Sequence, residues 1–474
     1  MTATDPAAST ATESTISADS RPRLPLSTRA TYGLGDFAGG FVWSTTVSYL
    51  AIFYTDAVGI GVGVVGVLML GARVFDALID PVIGSLAERT RSRHGRFRPW
   101  ILYGMLPLAG FAVLTFTAPF PGDSAAAVVY AVITYGILGI LYSAVNLPYG
   151  ALASVMAETP ADRISLGTFR FLGIMLNGVL IALVTVPLVR LFSGAEGGQT
   201  ATVGGYTITM AVFAVISLPM LFAVFKTSRE TITPVRREPV SLRATLGALA
   251  GNRYLTVFLV FTVLAVVANF GRLGVLIYYY EYNVGNTALI PVLLGLTQVC
   301  GIVGTLVFTR FAQYVGKRNL LMIGLGVQAV ALIALYFAGA NNIAVVIALT
   351  AIHGLAGFSL VMTLSMVSDV VDYGEHKTGI RADGTTYAIF SFSMKFASGI
   401  SATALGLIGA FGYTPNATQT TEALNGINFV VNLLPALVGI AAMLVLLAYR
   451  LTDQEAAAIR NELNAAAKAA PAGQ

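Results

Sequence analysis

The sequence is poor in charge: Asp, Glu, Lys and Arg make up 11% of its 474 residues, against about 25% in a typical soluble protein. This deficit excludes an ordinary soluble enzyme. The chain has a single cysteine, Cys300, which excludes an internal disulfide and a cysteine-based metal site. Its three histidines argue against a zinc site. With 56% hydrophobic residues and a mean hydropathy of +0.77, the composition indicates a membrane protein.

Long apolar runs are what the chain has instead. A helix needs about 20 apolar residues to cross a bilayer, and we count twelve runs that meet this requirement. They cover residues 31–53, 59–86, 98–118, 124–155, 164–192, 205–226, 253–277, 286–313, 319–338, 343–372, 383–410 and 427–450. The sequence therefore predicts an all-α integral membrane protein with twelve transmembrane helices.

One long polar joint divides these runs into two sets of six. We expect a disordered N-terminal tail over 1–28, a six-helix bundle over 29–226, a cytoplasmic linker over 227–252, a second six-helix bundle over 253–450 and a C-terminal tail over 451–474. The joints 88–99 and 310–319 both place a glycine followed by basic residues after the second run of a half. Two similar halves are typical of secondary transporters, which bind substrate between them near the midplane.

The basic residues predict the orientation. Most of the 28 Lys and Arg residues fall in tails and joints that alternate to one side, so the positive-inside rule places both termini in the cytoplasm and the chain in the plasma (inner) membrane. The same placement explains the pI of about 9.2 and removes any reason to expect a nucleic-acid partner.

Several charges lie inside the predicted spans, where each costs about 2.5–3.5 kcal/mol on insertion scales. They are Asp36, Arg73, Asp76, Asp80, Arg170, Arg272 and Lys395, with Asp369 and Asp372 near the inner end of the tenth span. Together they indicate a hydrated path through the bundle.

Arg73, Asp76 and Asp80 form the sharpest cluster. Spacings of three and four residues put them on one face of the second span. Two carboxylates one turn apart repel when both are ionised, so they favour binding a cation or sharing a proton. The pattern predicts a site for Na⁺ or H⁺, with a purely structural ion pair as the alternative.

Other charges suggest substrate binding and gating. Lys395 is expected to pair with the carboxylates of the second span. Arg170 has the fork geometry to grip a carboxylate or sugar hydroxyls. Acidic and basic groups near the inner end of the tenth span predict a gate of ion pairs, formed by Asp369, Asp372, Glu375 and Arg381.

Two other classes can be compared with this interpretation. Gly33-Leu34-Gly35-Asp36 matches the short GxGD string of intramembrane aspartyl proteases, but the second acid of such a protease should stand alone on its span. An ATP-driven pump would need a phosphate-binding Walker A string, which the sequence lacks.

Longer motifs resemble one family. The strings Tyr32-Gly-Leu-Gly-Asp36, Tyr54-Thr-Asp56, Arg73-x-x-Asp76-x-x-x-Asp80-Pro81, Asn146-Leu-Pro148-Tyr149-Gly150 and Asp369-Val-Val-Asp372-Tyr-Gly-Glu375 are similar to those of the glycoside–pentoside–hexuronide:cation symporters. The resemblance implies the major facilitator fold, with two six-helix bundles. It also implies alternating access with a sugar and a cation, Na⁺, Li⁺ or H⁺, bound near the midplane.

The resemblance also implies roles for individual residues. Cation ligands would be Asp76 and Asp80, with Ser143 beside them. The substrate-binding set would be Asn146, Arg170, Tyr142, Lys395 and Asp36, and Lys395 would couple the two sites. Arg73 would join the gating and coupling group.

The departures from the family pattern bear on the substrate. The melibiose carrier's two galactose-binding acids fall at Gly40 and Asn146, its stacking tryptophan at Gly150, and its asparagine ligand for Na⁺ at Ile79. The stretches 143–156 and 379–395 resemble the bacterial glucuronide carriers more closely. Losing two acids from a sugar site makes an anionic sugar electrostatically easier to accept.

We therefore expect a transporter and not an enzyme, with no cofactor besides the coupling ion. The predicted function is H⁺- or Na⁺-coupled import of a glycoside, a glucuronide or other hexuronide, by a monomer. The alternatives are a Na⁺-coupled carrier of a neutral glycoside or pentoside and, from another class, a passive sugar facilitator or sensor.

Overall fold

The computed structural model describes residues 24–122, 124–157, 159–194, 201–231, 251–340, 342–379 and 383–469. Arg381, assigned above to gating, lies outside these residues, as does most of the predicted N-terminal tail and linker. Within the described ranges every regular element is helical, and no strand occurs among them.

Six long helices form the first half. They are α1 Leu26–Ile52, α2 Val62–Arg89, α3 Arg98–Thr115, α4 Ala125–Met156, α5 Pro160–Ser193 and α6 Val203–Thr227. A π-helical segment, Phe53–Val58, extends α1. Three of the helices begin at a side chain that accepts a hydrogen bond from the backbone N–H of the third residue after it, namely Ser124, Thr159 and Thr202. These N-caps satisfy donors that the helix itself leaves unpaired.

The second half follows the same plan with more interruptions. Its helices are α7 Arg253–Tyr278, α8 Ile290–Phe308, α9 Lys317–Ala338, α10 Ile343–Leu355, α11 Phe358–Thr378, α12 Asp383–Ser401, α13 Thr403–Ala410, α14 Thr421–Asn428 and α15 Leu434–Leu446. A surface helix, α16 Asp453–Ala469, comes last. Short π or 3-10 segments extend α7, α8 and α14, and a four-residue helix, Ala312–Val315, precedes α9.

Each of the twelve predicted spans falls on one of these helices or on a consecutive pair. In the described part of the chain, nine helical stretches are long and apolar enough to cross a membrane. The other three predicted spans correspond to α1, to α3 and to α10 with α11. The all-α membrane fold expected from the sequence is confirmed.

The tenth predicted span is broken, although its sequence reads as one apolar run. The chain leaves the helix at Ala356 and Gly357 and starts again at Phe358. Packing explains the break, because α8 approaches the backbone here: a methyl group on Gly304 would lie 1.8 Å from the carbonyl oxygen of Leu355. Only glycine allows so close an approach.

An internal repeat appears in how the third helix of each half is capped. In the first half the Glu230 carboxylate, after α6, accepts backbone N–H bonds from Arg96, Phe97 and Arg98 at the start of α3. In the second half the Asp453 carboxylate, after α15, accepts the N–H of Lys317 at the start of α9. A carboxylate at a helix N-terminus is stabilised by the free N–H groups and the helix dipole.

The two halves pack along α2 with α12 and α13, along α5 with α8, and along α1 with α7. Glycines bring α2 and α13 together, since a methyl group on Gly66 would lie 3.3 Å from the backbone of Gly406. We call the two ends of the bundle the Asp56 end and the Arg460 end, after one charged residue at each.

Candidate functional site

A cavity of about 300 Å³ lies between the two halves near the middle of the long helices. The first half contributes residues of α1, α2 and α4, and the second half contributes residues of α7 and α12. The charged and polar side chains that line it are Arg73, Asp76, Tyr142, Ser143, Asn146, Ser391, Lys395 and Ser398, with Trp43 beside them. This mixture suits a polar ligand that must shed water inside a membrane.

The two carboxylates of α2 meet the lysine of α12 at this cavity. The Lys395 ammonium contacts the Asp80 carboxylate and lies 3.9 Å from the Asp76 carboxylate. The Ser143 hydroxyl, on α4, donates a hydrogen bond of 2.9 Å to Asp76. The four residues that sequence analysis grouped as a cation and coupling site are therefore neighbours.

Asp80 keeps one oxygen unused. Its Oδ1 atom is buried and receives no hydrogen bond, although its other oxygen contacts Lys395. An unpaired buried carboxylate oxygen costs free energy and is a ready ligand for a small cation or a proton. Among the described residues no group of three or more His, Cys, Asp or Glu could hold a metal ion.

Aromatic rings form another wall of the cavity. The Trp43 and Tyr142 rings stack at 4.3 Å with an interplanar angle of 10°. The Arg73 guanidinium lies over Trp43 at 4.4 Å. Asn146 donates a hydrogen bond of 3.2 Å to the Tyr142 hydroxyl. Sequence analysis had not singled out Trp43; its signal was a tryptophan in the middle of a span, away from the interfaces where this residue is enriched.

Arg170 and Asp36 form a separate ion pair inside the first half. Arg170 donates to the two Asp36 oxygens, from Nε at 2.6 Å and from Nη2 at 3.2 Å. The Tyr149 ring lies under the guanidinium at 4.8 Å. Neither charged residue is among those lining the cavity. The structure thus brings Tyr142, Asn146 and Lys395 to the cavity but places Arg170 and Asp36 against each other.

Gly40 and Gly150 stand where the melibiose carrier has a galactose-binding acid and its stacking tryptophan. At both positions the space that the glycine leaves is filled by other side chains. A methyl group on Gly40 would overlap the Asn177 carboxamide, at 2.2 Å. A methyl group on Gly150 would lie 3.3 Å from the Arg170 guanidinium. The space that larger side chains would need at these two positions is therefore occupied by Asn177 and Arg170 of the first half.

The acidic residues of α11 lie at the Arg460 end. Arg460 on α16 donates to Asp369 and Asp372, both at 2.9 Å, and Lys317 pairs with Asp369 at 2.5 Å. Hydrogen bonding to Asp372 raises the pKa of Arg460. These ion pairs tie the C-terminal helix to α9 and α11 within the second half. The partners Lys317 and Arg460 are separated from α11 by dozens of residues, so spacing could not reveal them.

Hydrogen bonds join the two halves at the opposite end. The Asp56 carboxylate accepts bonds from the Tyr282 hydroxyl and, at 2.7 Å, from the Tyr413 hydroxyl. The Asn416 amide donates to the Asp56 backbone carbonyl at 2.5 Å. Thr55 and Tyr278 are joined by a bond of 2.8 Å. We call this group of residues the Asp56 cluster.

Comparisons with known proteins show the family of this chain. The family model described as MFS/sugar transport protein matches residues 31–453. The isoprimeverose transporter of Lactiplantibacillus pentosus is 34% identical, over 85% of this chain and 84% of its own. The glucuronide carrier protein homolog of Escherichia coli is 31% identical, over 90% and 92%.

The fold has a counterpart among solved structures. The crystal structure of a D-xylose-proton symporter superimposes with a TM-score of 0.65 at 16% identity, covering 89% of this chain and 96% of the other. The likeness shows the major facilitator fold. With the family model and the two relatives, it identifies a membrane transporter of sugars or glycosides and not an enzyme. The chain belongs to the MFS/sugar transport protein family, the glycoside–pentoside–hexuronide:cation symporters of the major facilitator superfamily.

Proposed function

We propose that this carrier imports a glucuronide or a related hexuronide together with one H⁺, with both termini in the cytoplasm. The observation that carries the proposal is the contact of Lys395 with the Asp76 and Asp80 carboxylates at a cavity between the halves. Charges in the middle of a bundle cost free energy, and here they gather where a carrier binds its cargo.

The contact supplies a coupling device. The Lys395 ammonium occupies the place that a coupling cation would take beside the carboxylates. A proton or Na⁺ that binds there competes with the ammonium for the carboxylates and weakens the ion pair that holds Lys395 in place. Because Lys395 belongs to α12 and the acids belong to α2, the exchange weakens a link between the two halves. The halves are then free to change their relative position.

The Asp56 cluster supports an outward-closed state of the carrier. Since the positive-inside rule assigns the Arg460 end to the cytoplasm, the Asp56 end faces outward. Hydrogen bonds from Tyr282, Tyr413 and Asn416 hold that end shut. The arrangement corresponds to a carrier closed to the outside, and opening requires that these bonds break.

A proton is favoured over Na⁺ by the small number of oxygen ligands. Besides the two carboxylates, the one neutral oxygen bonded to the site in the described part of the chain is the Ser143 hydroxyl. Ile79 is apolar where the melibiose carrier has an asparagine ligand. Na⁺ needs several oxygen atoms to replace its hydration shell, whereas a proton needs a single carboxylate.

The first experiment follows pH in a lightly buffered, Na⁺-free suspension of de-energised cells that express the carrier. Adding methyl β-D-glucuronide should give an alkaline pulse, because protons enter with the sugar. The pulse should disappear in Asp76→Asn and persist in Glu422→Gln, which removes an exposed carboxylate outside the cavity. No pulse from the unmodified carrier would contradict proton-coupled glucuronide import.

The isoprimeverose relative keeps a second candidate open. A Na⁺-coupled carrier of a neutral glycoside or pentoside would give no pH pulse and would accumulate its sugar only when Na⁺ is present. Repeating the uptake with a neutral glycoside and a Na⁺ gradient separates the two candidates.

A further inference from the structure

We propose that Arg73 binds the carboxylate of the transported sugar while Trp43 and Tyr142 support its ring, so that these residues select hexuronides over neutral glycosides. The proposal rests on the proposed function, since it names the group that reads the substrate of the same cavity. It also moves Arg73 from the gating group, where sequence analysis had placed it, to the substrate site.

Arg73 is available to a ligand because no polar group is bonded directly to its guanidinium in the described part of the chain. No hydrogen bond or ion pair joins its guanidinium to another residue in the part of the chain that the structure describes, and its one contact of note is with the Trp43 ring. The other basic groups nearby are engaged, Lys395 with Asp80 and Arg170 with Asp36. A guanidinium inside a membrane that makes no direct ion pair is costly, so an anion that enters the cavity gains from pairing with it.

The aromatic wall positions that charge. Trp43 and Tyr142 stack in nearly parallel planes, and Arg73 lies over the Trp43 ring at 4.4 Å, so Tyr142 and Arg73 occupy the two faces of Trp43. Apolar C–H groups of a pyranose ring pack against aromatic surface by dispersion and burial of apolar area, and the part of this stack that lines the cavity offers such a surface. A hexuronic acid carries its carboxylate directly on the ring, so a sugar packed against the stack brings that charge close to Arg73.

Charge balance favours a monoanion. Asp76 and Asp80 carry two negative charges, and Arg73 and Lys395 carry two positive ones, so the central group is neutral before the cation binds. One bound H⁺ or Na⁺ leaves a net charge of +1. A sugar carboxylate restores neutrality, whereas a neutral glycoside does not. The electrostatic free energy of the buried charges is therefore most favourable when one cation and one anionic sugar are bound together.

The experiment uses the two tryptophans of the chain. In a Trp100→Phe background Trp43 is the remaining tryptophan, so its fluorescence reports ligands in the cavity. Methyl β-D-glucuronide and methyl β-D-glucoside are titrated into the purified carrier, and the ratio of the two dissociation constants is compared among variants. Arg73→Gln should reduce the preference for the glucuronide by about tenfold or more, the size expected for losing hydrogen bonds to a charged group. Arg73→Lys should retain part of it.

Arg253→Gln is the matched control. Arg253 also lies over an aromatic ring, Tyr254 at 4.7 Å, but it is exposed and outside the cavity. Its removal should leave the ratio unchanged. If Arg73→Gln weakens both glycosides equally, or leaves the ratio as it was, Arg73 does not read the carboxylate and the inference is wrong.

The outcomes also separate this inference from the proposed function. A carrier that couples glucuronide to H⁺ but keeps its preference in Arg73→Gln loses only the assignment of Arg73. An unmodified carrier that binds neither glycoside contradicts both. Because Arg73→Gln could affect folding, each variant is compared by thermal unfolding, and Arg73→Lys keeps the positive charge where the glutamine variant is unstable.

Discussion

The Lys395 ammonium contacts the Asp80 carboxylate although the two residues belong to different halves of the molecule. The contact makes α12 and α2 adjacent at the level of the cavity, and it fills the place beside the acids with a positive charge from the protein itself. A carrier built in this way holds its own substitute for the coupling cation. Removing or displacing the Lys395 ammonium should therefore affect the coupling of cation and sugar first.

The first prediction concerns Lys395. Lys395→Gln removes the competitor of the cation, so the carboxylates should retain a proton or Na⁺ throughout the cycle. Exchange of labelled for unlabelled sugar should continue, and accumulation against a gradient should be lost. Lys377→Gln is the control, since Lys377 is an exposed lysine bonded to the Gly251 carbonyl outside the cavity. Normal accumulation by Lys395→Gln would show that the ammonium is not part of coupling.

The second prediction concerns the Asp56 cluster. Tyr413→Phe removes one hydrogen bond to Asp56, worth about 1 kcal/mol, and should shift the equilibrium toward opening at the Asp56 end by about fivefold. Val47 lies on α1 between Trp43 and the Asp56 end and lines a small cavity together with Arg73. In a Cys300→Ser background, a cysteine introduced at Val47 should therefore react faster with an impermeant thiol reagent added outside. Tyr314→Phe, at an exposed tyrosine, should not change the rate. An unchanged rate in Tyr413→Phe would mean that other contacts hold this end shut.

The third prediction concerns the C-terminal helix. Arg460→Gln breaks the ion pairs with Asp369 and Asp372, and a half-exposed side chain of this kind contributes up to about 1 kcal/mol. Thermal unfolding of the purified carrier should begin at a lower temperature, and the difference should shrink at high salt because salt screens the pairs. Arg450→Gln, at an exposed arginine after α15, should show no such salt-dependent difference.

The fourth prediction follows from the charge balance of the cavity. One H⁺ or Na⁺ moving with one monoanionic hexuronide carries no net charge across the membrane. Uptake into proteoliposomes should therefore respond to the cation gradient and be insensitive to an imposed membrane potential. A transport current evoked by methyl β-D-glucuronide would require a second cation or a different substrate charge.

Sequence patterns reached part of this site and missed the rest for physical reasons. Helical spacing was enough to put Asp76 and Asp80 on one face, and the charge of Lys395 was enough to predict its partner. The pairing of Arg170 with Asp36 depends on how α1 packs on α5, across 134 residues, and spacing carries no such information.

The fold, like the site, could be predicted only in part from the sequence. Twelve apolar runs gave the spans, because burial in lipid imposes a length and a hydropathy that a single sequence shows. The break between α10 and α11 depends on a close approach of Gly304 to Leu355, which is a property of two helices together. The Asp56 cluster likewise joins side chains that lie far apart in the sequence, such as Asp56, Tyr282 and Tyr413.

The most direct test of the coupling site is the dissociation constant of a glycoside measured as a function of pH and of Na⁺ concentration. If a cation strengthens sugar binding, linkage requires that the sugar strengthen the binding of that cation by the same factor. The unmodified carrier should bind methyl β-D-glucuronide at least about tenfold more tightly when its acid pair is protonated or holds Na⁺, a coupling within the usual range. Asp76→Asn should bind it with an affinity that no longer depends on either cation. An unmodified carrier whose affinity stays constant across pH and Na⁺ would contradict the assignment of Asp76 and Asp80 as the coupling site.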